Sequence, residues 1–204
     1  VTRAPVYCAL VHHPVLDKIG GVAATSVTNF DVHDIARAAK TYGLHGYYVI
    51  APLEVQRRVV VQIARHWVSG PGAMRLPARG KALSLVRTAP DIRTACDLIA
   101  DESGGVRPVV WATGARPRES MLPHDQARAF ITESSRPILI LFGTGYGLAE
   151  EVMAAADAIL APLGDPCGWN HLSVRCAAAI TLDRLLGDRE IPHAGSLASE
   201  KNNI

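Results

Sequence analysis

The chain has 204 residues, 49% of them hydrophobic, which suffices for one sizeable core in a single domain. No run of about eighteen apolar residues exists to span a membrane, and no charged start followed by a long apolar stretch suggests a secretion signal. The net charge is only +2, and Cys8, Cys96, Cys167 and Cys176 show no CxxC pairing, so they read as reduced, mostly buried thiols of a cytosolic protein.

In chain order, Val6–Val11 reads as a buried strand and 31–42 as a helix capped by Asp31 or Asn29, with Val32, Ile35, Ala36 and Ala39 as its apolar stripe. Residues 47–51 form a second strand, stopped by Pro52. In the next helix Val55, Val59, Ile63 and Trp67 recur at spacing four, leaving Arg57, Arg58 and Arg65 outside the stripe. Residues 69–79, with two glycines and two prolines, read as an extended loop. A short strand at 83–86 and a helix at 92–100 follow. Strands are expected at 108–112, 138–142 and 158–163, and helices at 123–133, 148–156 and 171–186, the last closed by Gly187. Alternating strands and helices predict an α/β fold, a mostly parallel sheet with helices on both faces. It occupies residues 1–187, ahead of a polar, flexible tail at 188–204.

Charge is unevenly spread along this plan. Residues 53–93 carry eight basic side chains (Arg57, Arg58, Arg65, Arg75, Arg79, Lys81, Arg87 and Arg93) against Glu54 and Asp91, so this segment is +6 and the remainder −4. That suits an anionic partner met on one face, and it equally fits a solvated, arginine-rich helix and loop.

The most informative stretch is 138–147, an apolar strand running into Gly143, Gly145 and Gly147. Glycine at every second position permits a sharp turn and close approach of a ligand to the backbone. The dinucleotide pattern GxGxxG would need glycine at 148, where Leu148 stands, and it normally opens the first βαβ unit. There is no P-loop and no GxSxG elbow. The strand ends at Ala112-Thr113-Gly114 and Leu160-Ala161-Pro162 are also built of small residues, glycine or proline. Together the three ends offer backbone groups around one adenine-sized pocket, whereas each alone is an ordinary βα turn.

Three passages carry a family resemblance: Thr25-Ser26-Val27-Thr28-Asn29-Phe30-Asp31-Val32-His33-Asp34-Ile35-Ala36-Arg37, then Leu141-Phe142-Gly143-Thr144-Gly145-Tyr146-Gly147-Leu148, then Asn170-His171-Leu172-Ser173-Val174-Arg175. In this order and at these distances the chain resembles the SPOUT-class RNA methyltransferases from about Val6 to Leu186. Within that class it is similar to the bacterial domain sometimes fused to tRNA guanine-N1 methyltransferase. The resemblance implies a deep C-terminal trefoil knot, an exception to the usual unknotted topology. It implies S-adenosylmethionine as cofactor, RNA and most readily tRNA as substrate, and a homodimer.

By position, the resemblance implies a cofactor pocket built from Ala112, Thr113 and Gly114, from Phe142, Gly143, Thr144, Gly145 and Gly147, from Leu160, Ala161 and Pro162, and from Asn170, His171, Leu172 and Ser173. Asn29 and Arg37 match an Asn and Arg of related ribose methyltransferases, which makes them the catalytic candidates. Arginine holds its proton too tightly to be a simple base, so phosphate binding and acidification of a ribose hydroxyl is the role expected. The third passage reads Leu172-Ser173-Val174-Arg175 where ribose-methylating relatives often have Leu-Asn-Val-Ser. Ribose and base acceptors both stay open, and Arg175 is available to the cofactor carboxylate or an RNA phosphate. His33 and His171 rank below Arg37 as proton carriers. Cys167, His171 and Cys176 do not follow a usual zinc spacing, so no metal is expected. Two other readings remain at this stage: an RNA-binding protein of the same fold without catalysis, and a nicotinamide-dependent oxidoreductase.

Overall fold

Runs of apolar residues with side chains pointing alternately up and down build the centre of the molecule. The computed structural model describes residues 3–164 and 169–187, so the expected tail at 188–204 lies outside the described residues. In chain order the elements are β1 (Val6–Val11), β2 (Val15–Leu16), β3 (Val22–Ala23), α1 (Asn29–Thr41), β4 (Gly46–Ile50), α2 (Glu54–Val68), α3 (Pro71–Arg75) and α4 (Pro77–Leu83). They continue with β5 (Val86–Ala89), α5 (Ile92–Glu102), β6 (Val109–Ala112), α6 (His124–Glu133), β7 (Ile138–Gly143), α7 (Glu150–Ala155), β8 (Ala158–Ile159) and α8 (Val174–Leu186). Six strands form one parallel sheet in the order β5-β4-β1-β7-β6-β8.

The pleat sends Val6, Cys8 and Leu10 of β1 to one face and Tyr7, Ala9 and Val11 to the other. Helices α1, α2, α4, α6 and α8 contribute side chains to the first core, and α5 and α7 to the second. Both faces are therefore covered, as a parallel sheet requires.

Several local expectations are corrected. Residues 69–79 are not an extended loop: Pro71 and Pro77 each stand at the start of a short helix, where a missing N–H costs nothing. A Cβ on Gly80 would fall 2.5 Å from the Trp67 carbonyl, so this glycine lets α4 seat against the end of α2. The strand expected at 83–86 is moved to Val86–Ala89, because Leu83 closes α4 and enters the core. The last strand ends at Ile159, not at 163, with Leu160 adding a single bridge.

On α2 the inward stripe is Gln56, Val60, Ile63 and Trp67, stepping by four, three and four, with Val60 buried and the others half-buried, and Val55 and Val59 are 65% and 44% exposed. A strict spacing of four gains about 40° per step on a 3.6-residue helix and so rotates off the contact face. The cap of α1 is Thr28, whose Oγ1 accepts from the Asp31 N–H. Helix α8 starts at Val174, not at 171, with Ser173 as its cap. Cys8 and Cys96 are buried, Cys176 is exposed, and Cys167 lies outside the described residues.

Candidate functional site

The neighbours β7, β6 and β8 run parallel, so their carboxyl ends emerge side by side. Thr113 donates both its N–H and its Oγ1 hydroxyl to the Leu141 carbonyl, which ties the ends of β6 and β7. The Leu160 N–H donates to Ala112 on one side of its strand, and the Ala161 N–H to Leu122 on the other. Residues 113–122 therefore arch over β8 and come down along its outer edge. Asn170 closes the group: its Nδ2 donates to the Leu163 carbonyl at 2.7 Å and to the Ala115 carbonyl at 3.1 Å. The structure thus gathers Ala112–Gly114, Gly143–Gly147, Leu160–Pro162 and Asn170–Ser173 at one end of the sheet.

These residues offer mostly backbone. Phe142 and Leu160 point into the core, and the Ser173 hydroxyl is taken by the Cys176 N–H. His171 packs at a tilt of 53° against the exposed Trp169, with ring centroids 4.7 Å apart. At Gly147, φ is +109° and a Cβ would meet nothing within 4 Å, so its Cα faces open space, while its N–H donates to the Thr144 carbonyl and its carbonyl accepts from the Leu16 N–H. Asn170 Nδ2 is spent on the Leu163 and Ala115 carbonyls, which leaves its Oδ1 as the amide's acceptor.

The other two glycines serve the protein itself. A Cβ on Gly143 would fall 2.6 Å from the Leu148 nitrogen, so the turn could not fold back. At Gly145, φ is +60° and a Cβ would face the Leu16 carbonyl at 3.0 Å, on the β2–β3 hairpin. That hairpin was not anticipated from the sequence. It binds the glycine turn through Leu16 N–H to Gly147 and Tyr146 N–H to Leu16.

Beneath the turn runs a relay also missed in the sequence. Thr144 Oγ1 donates to the Val11 carbonyl at 2.9 Å, which makes Thr25 the donor to Thr144 and His12 Nδ1–H the donor to Thr25. His12 is fully buried and its Nε2 has no partner among the described residues. Burial lowers its pKa to about 4, against an opposing pull from Asp31. The neutral ring is therefore a fixed prop for the turn. A His followed by Thr25 in the first family passage was the available signal.

Asn29 and Arg37 stand elsewhere. Both line a cavity between α1, α2 and α4, none of whose lining residues belongs to the strand-end group. Arg37 is 64% exposed and lies 4.0 Å from Asp34. Arg175, expected on a cofactor carboxylate or a phosphate, is instead paired with Asp31 at 3.2 Å and Asp34 at 3.5 Å, so it clasps the start of α8 to α1. His33 also lines the cavity; burial and then Arg79 lower its pKa.

The basic segment is partly spent within the fold. Arg57 donates to the Ala51 and Pro52 carbonyls, Arg58 pairs with Glu54, Arg87 with Glu102, and Arg93 faces Asp97. Arg65, Arg75, Arg79 and Lys81 make no ion pair among the described residues. Among those residues no group of three or more His, Cys, Asp or Glu is placed to hold a metal ion, and no helix is long and apolar enough to cross a membrane.

Comparison with known proteins gives the family and the fold. The chain is 50% identical over 183 residues to a tRNA (guanine-N(1)-)-methyltransferase of Nitratidesulfovibrio vulgaris, covering 90% of this chain and 42% of that protein. An uncharacterized protein of Aquifex aeolicus is 39% identical over 180 residues, covering 88% of this chain and 87% of that one. The chain therefore spans less than half of the first relative and most of the second. Among solved structures, TrmJ from Z. mobilis has a TM-score of 0.59 at 20% identity, covering 91% of this chain and 70% of its own. The SpoU methyltransferase AviRb from Streptomyces viridochromogenes has a TM-score of 0.57 at 18% identity, covering 91% and 60%. Those two likenesses show a shared SPOUT fold. A model of the SAM-dependent RNA methyltransferases matches residues 5–187, and the chain belongs to that family.

Proposed function

We propose that this chain methylates RNA, with tRNA as the substrate class, acting as a cytoplasmic homodimer. The observation that carries this reading is the adjacency of three strand ends, those of β6 and β7 tied by Thr113 and the segments after β6 and β8 by Asn170. Backbone at Gly114, Gly147 and Pro162 and the Asn170 side chain would hold S-adenosylmethionine, which supplies a methyl group already activated on a sulfonium. The protein's own tasks are then to orient the acceptor, exclude water and manage one proton. Arg37 would bind the phosphate beside the acceptor and stabilise charge developing on a ribose hydroxyl; a base acceptor needs the same grip on the strand.

Separation of Arg37 from the strand ends within one chain supports the dimer, since a second copy is then needed to bring an Arg37 to the cradle. Trp169, Leu172 and Ile180 are exposed at 77%, 44% and 36%, an apolar surface suited to that contact. Threading of α8 through the arch 113–122, a deep trefoil knot, belongs to the same reading and is supported by the pairing of Leu122 outside Leu160.

Incubating the protein with total tRNA and methyl-labelled S-adenosylmethionine, then resolving nucleosides by mass spectrometry, tests the proposal. A new methylated nucleoside is expected. RNA binding without saturable cofactor binding would instead identify a non-catalytic RNA-binding protein.

A further inference from the structure

The cavity between α1, α2 and α4 has a chemistry that cofactor binding does not use. Its volume is about 540 Å³, within the range of about 300–1,000 Å³ typical of small-molecule sites. Phe30, Ile63 and Trp67 supply apolar wall, and Phe30 is 69% exposed. The Arg79 guanidinium lies 4.6 Å from the Trp67 ring centroid, a cation–π contact that orders the side chain without neutralising it. Arg37 enters from α1, and Arg65, Arg75 and Lys81 are exposed on the neighbouring helices α2, α3 and α4. Asp34 is the one acid in the lining, and it is shared between Arg37 and Arg175.

Aromatic wall beside uncompensated guanidinium is the combination that holds a nucleotide. Rings accept a base face of any sequence, and a guanidinium fork matches a phosphate. An acidic peptide would use the cations and leave the rings idle. A purely apolar ligand would cover Arg79 and Arg37 without a countercharge.

We propose that this cavity is a subsite for one unstacked nucleotide of single-stranded RNA, its base against Trp67 and Phe30 and its phosphate on Arg79 and Arg37. The proposal rests on the reading of RNA as substrate. It adds Trp67 and Arg79 as specificity-determining residues, and it favours loops and ends over duplex, whose base faces are hidden. His33 and His66 pack edge-on to Trp67 at 5.7 and 4.9 Å and hold the ring in place.

The test measures fluorescence anisotropy of a labelled single-stranded RNA of about ten nucleotides with the full chain, and calorimetric titration of S-adenosylmethionine in parallel. Arg79→Gln and Trp67→Ala should each weaken RNA binding roughly tenfold, with cofactor affinity held within about twofold. Trp67→Phe should retain most of the affinity, and duplex RNA of the same sequence should compete poorly. Should Trp67→Ala lose cofactor binding through misfolding, Arg79→Gln and Trp67→Phe decide.

Wild-type RNA affinity in Arg79→Gln overturns the subsite and leaves the methyltransferase reading standing. Absence of RNA binding by the wild type overturns both. Conversion of dimer to monomer by Arg79→Gln in sedimentation would make the cavity a contact between copies and overturn the proposal.

Discussion

Lowering the pH from about 7.5 to about 5 should destabilise the protein through His12, by an amount that follows from its burial. The ring is 0% exposed, its Nδ1–H is spent on Thr25 and its Nε2 has no partner among the described residues. A proton on Nε2 would bury a charge with no acceptor, and the pKa accordingly falls to about 4 from 6.5. Between those values the unfolded chain binds a proton that the folded chain does not, so stability rises with pH. The contribution is fully present above about pH 6.5 and is lost as the pH falls toward about 4. The loss amounts to about 2 kcal/mol at pH 5, from about 1.4 kcal/mol per pH unit over the window.

Urea unfolding at both pH values, in wild type and His12→Gln, isolates this contribution. Three other imidazoles, His33, His45 and His124, also have lowered pKa values and act in the same direction in both proteins. Glutamine retains a polar partner for Thr25 but does not titrate. The variant should therefore lose about 2 kcal/mol less than wild type on acidification. An identical loss in the two proteins would refute the assignment of His12 as a buried neutral prop.

Gly143→Ala should cost about 1–3 kcal/mol and weaken cofactor binding, because its Cβ would meet the Leu148 nitrogen at 2.6 Å. Normal affinity by calorimetry would mean that this turn is not part of the cradle. Arg37→Ala should lower turnover about a hundredfold with cofactor affinity unchanged, and undiminished methylation would remove Arg37 from the reaction. Arg175→Gln should cost about 1–2 kcal/mol in urea unfolding by leaving Asp31, 7% exposed, short of its partner. Adding Asp31→Asn should recover part of that loss, and no recovery would sink the pairing argument.

Legibility from sequence followed how local the controlling physics is. The 138–143 strand and the glycine turn were readable because an unbroken apolar run and alternate glycines leave few other conformations. The helix expected at 92–100 was also readable, and the structure extends it to Glu102 and caps it with Asp91, which accepts from the Thr94 N–H. What failed was set by neighbours distant in the chain. Pro71 and Pro77 start helices only because α2 provides a surface, and the carbonyl that excludes a side chain at Gly80 belongs to Trp67. The stripe at spacing four on α2 misled because the phase of a helix is fixed by what it packs on. Arg175 was legible as a functional arginine, but Asp31, its partner 144 positions away, was invisible until the fold brought α8 onto α1.

That last contact joins α8 to α1. Arg175 follows Ser173, which caps α8 at the end of the 169–173 segment, so the guanidinium is anchored where the strand-end group ends. It grips Asp31 and Asp34, and Asp34 in turn faces Arg37 across 4.0 Å. The grip on Asp31 is close and half-buried, whereas the Arg37–Asp34 pair is long, exposed at both ends and worth less than about 1 kcal/mol. An arginine so loosely held gives up its carboxylate for a bidentate phosphate at little cost. The carboxylate itself stays fixed by Arg175. The firm pair therefore positions the α1 face relative to the 169–173 segment, and the weak pair leaves Arg37 as the exchangeable cation that the proposed contact with RNA requires.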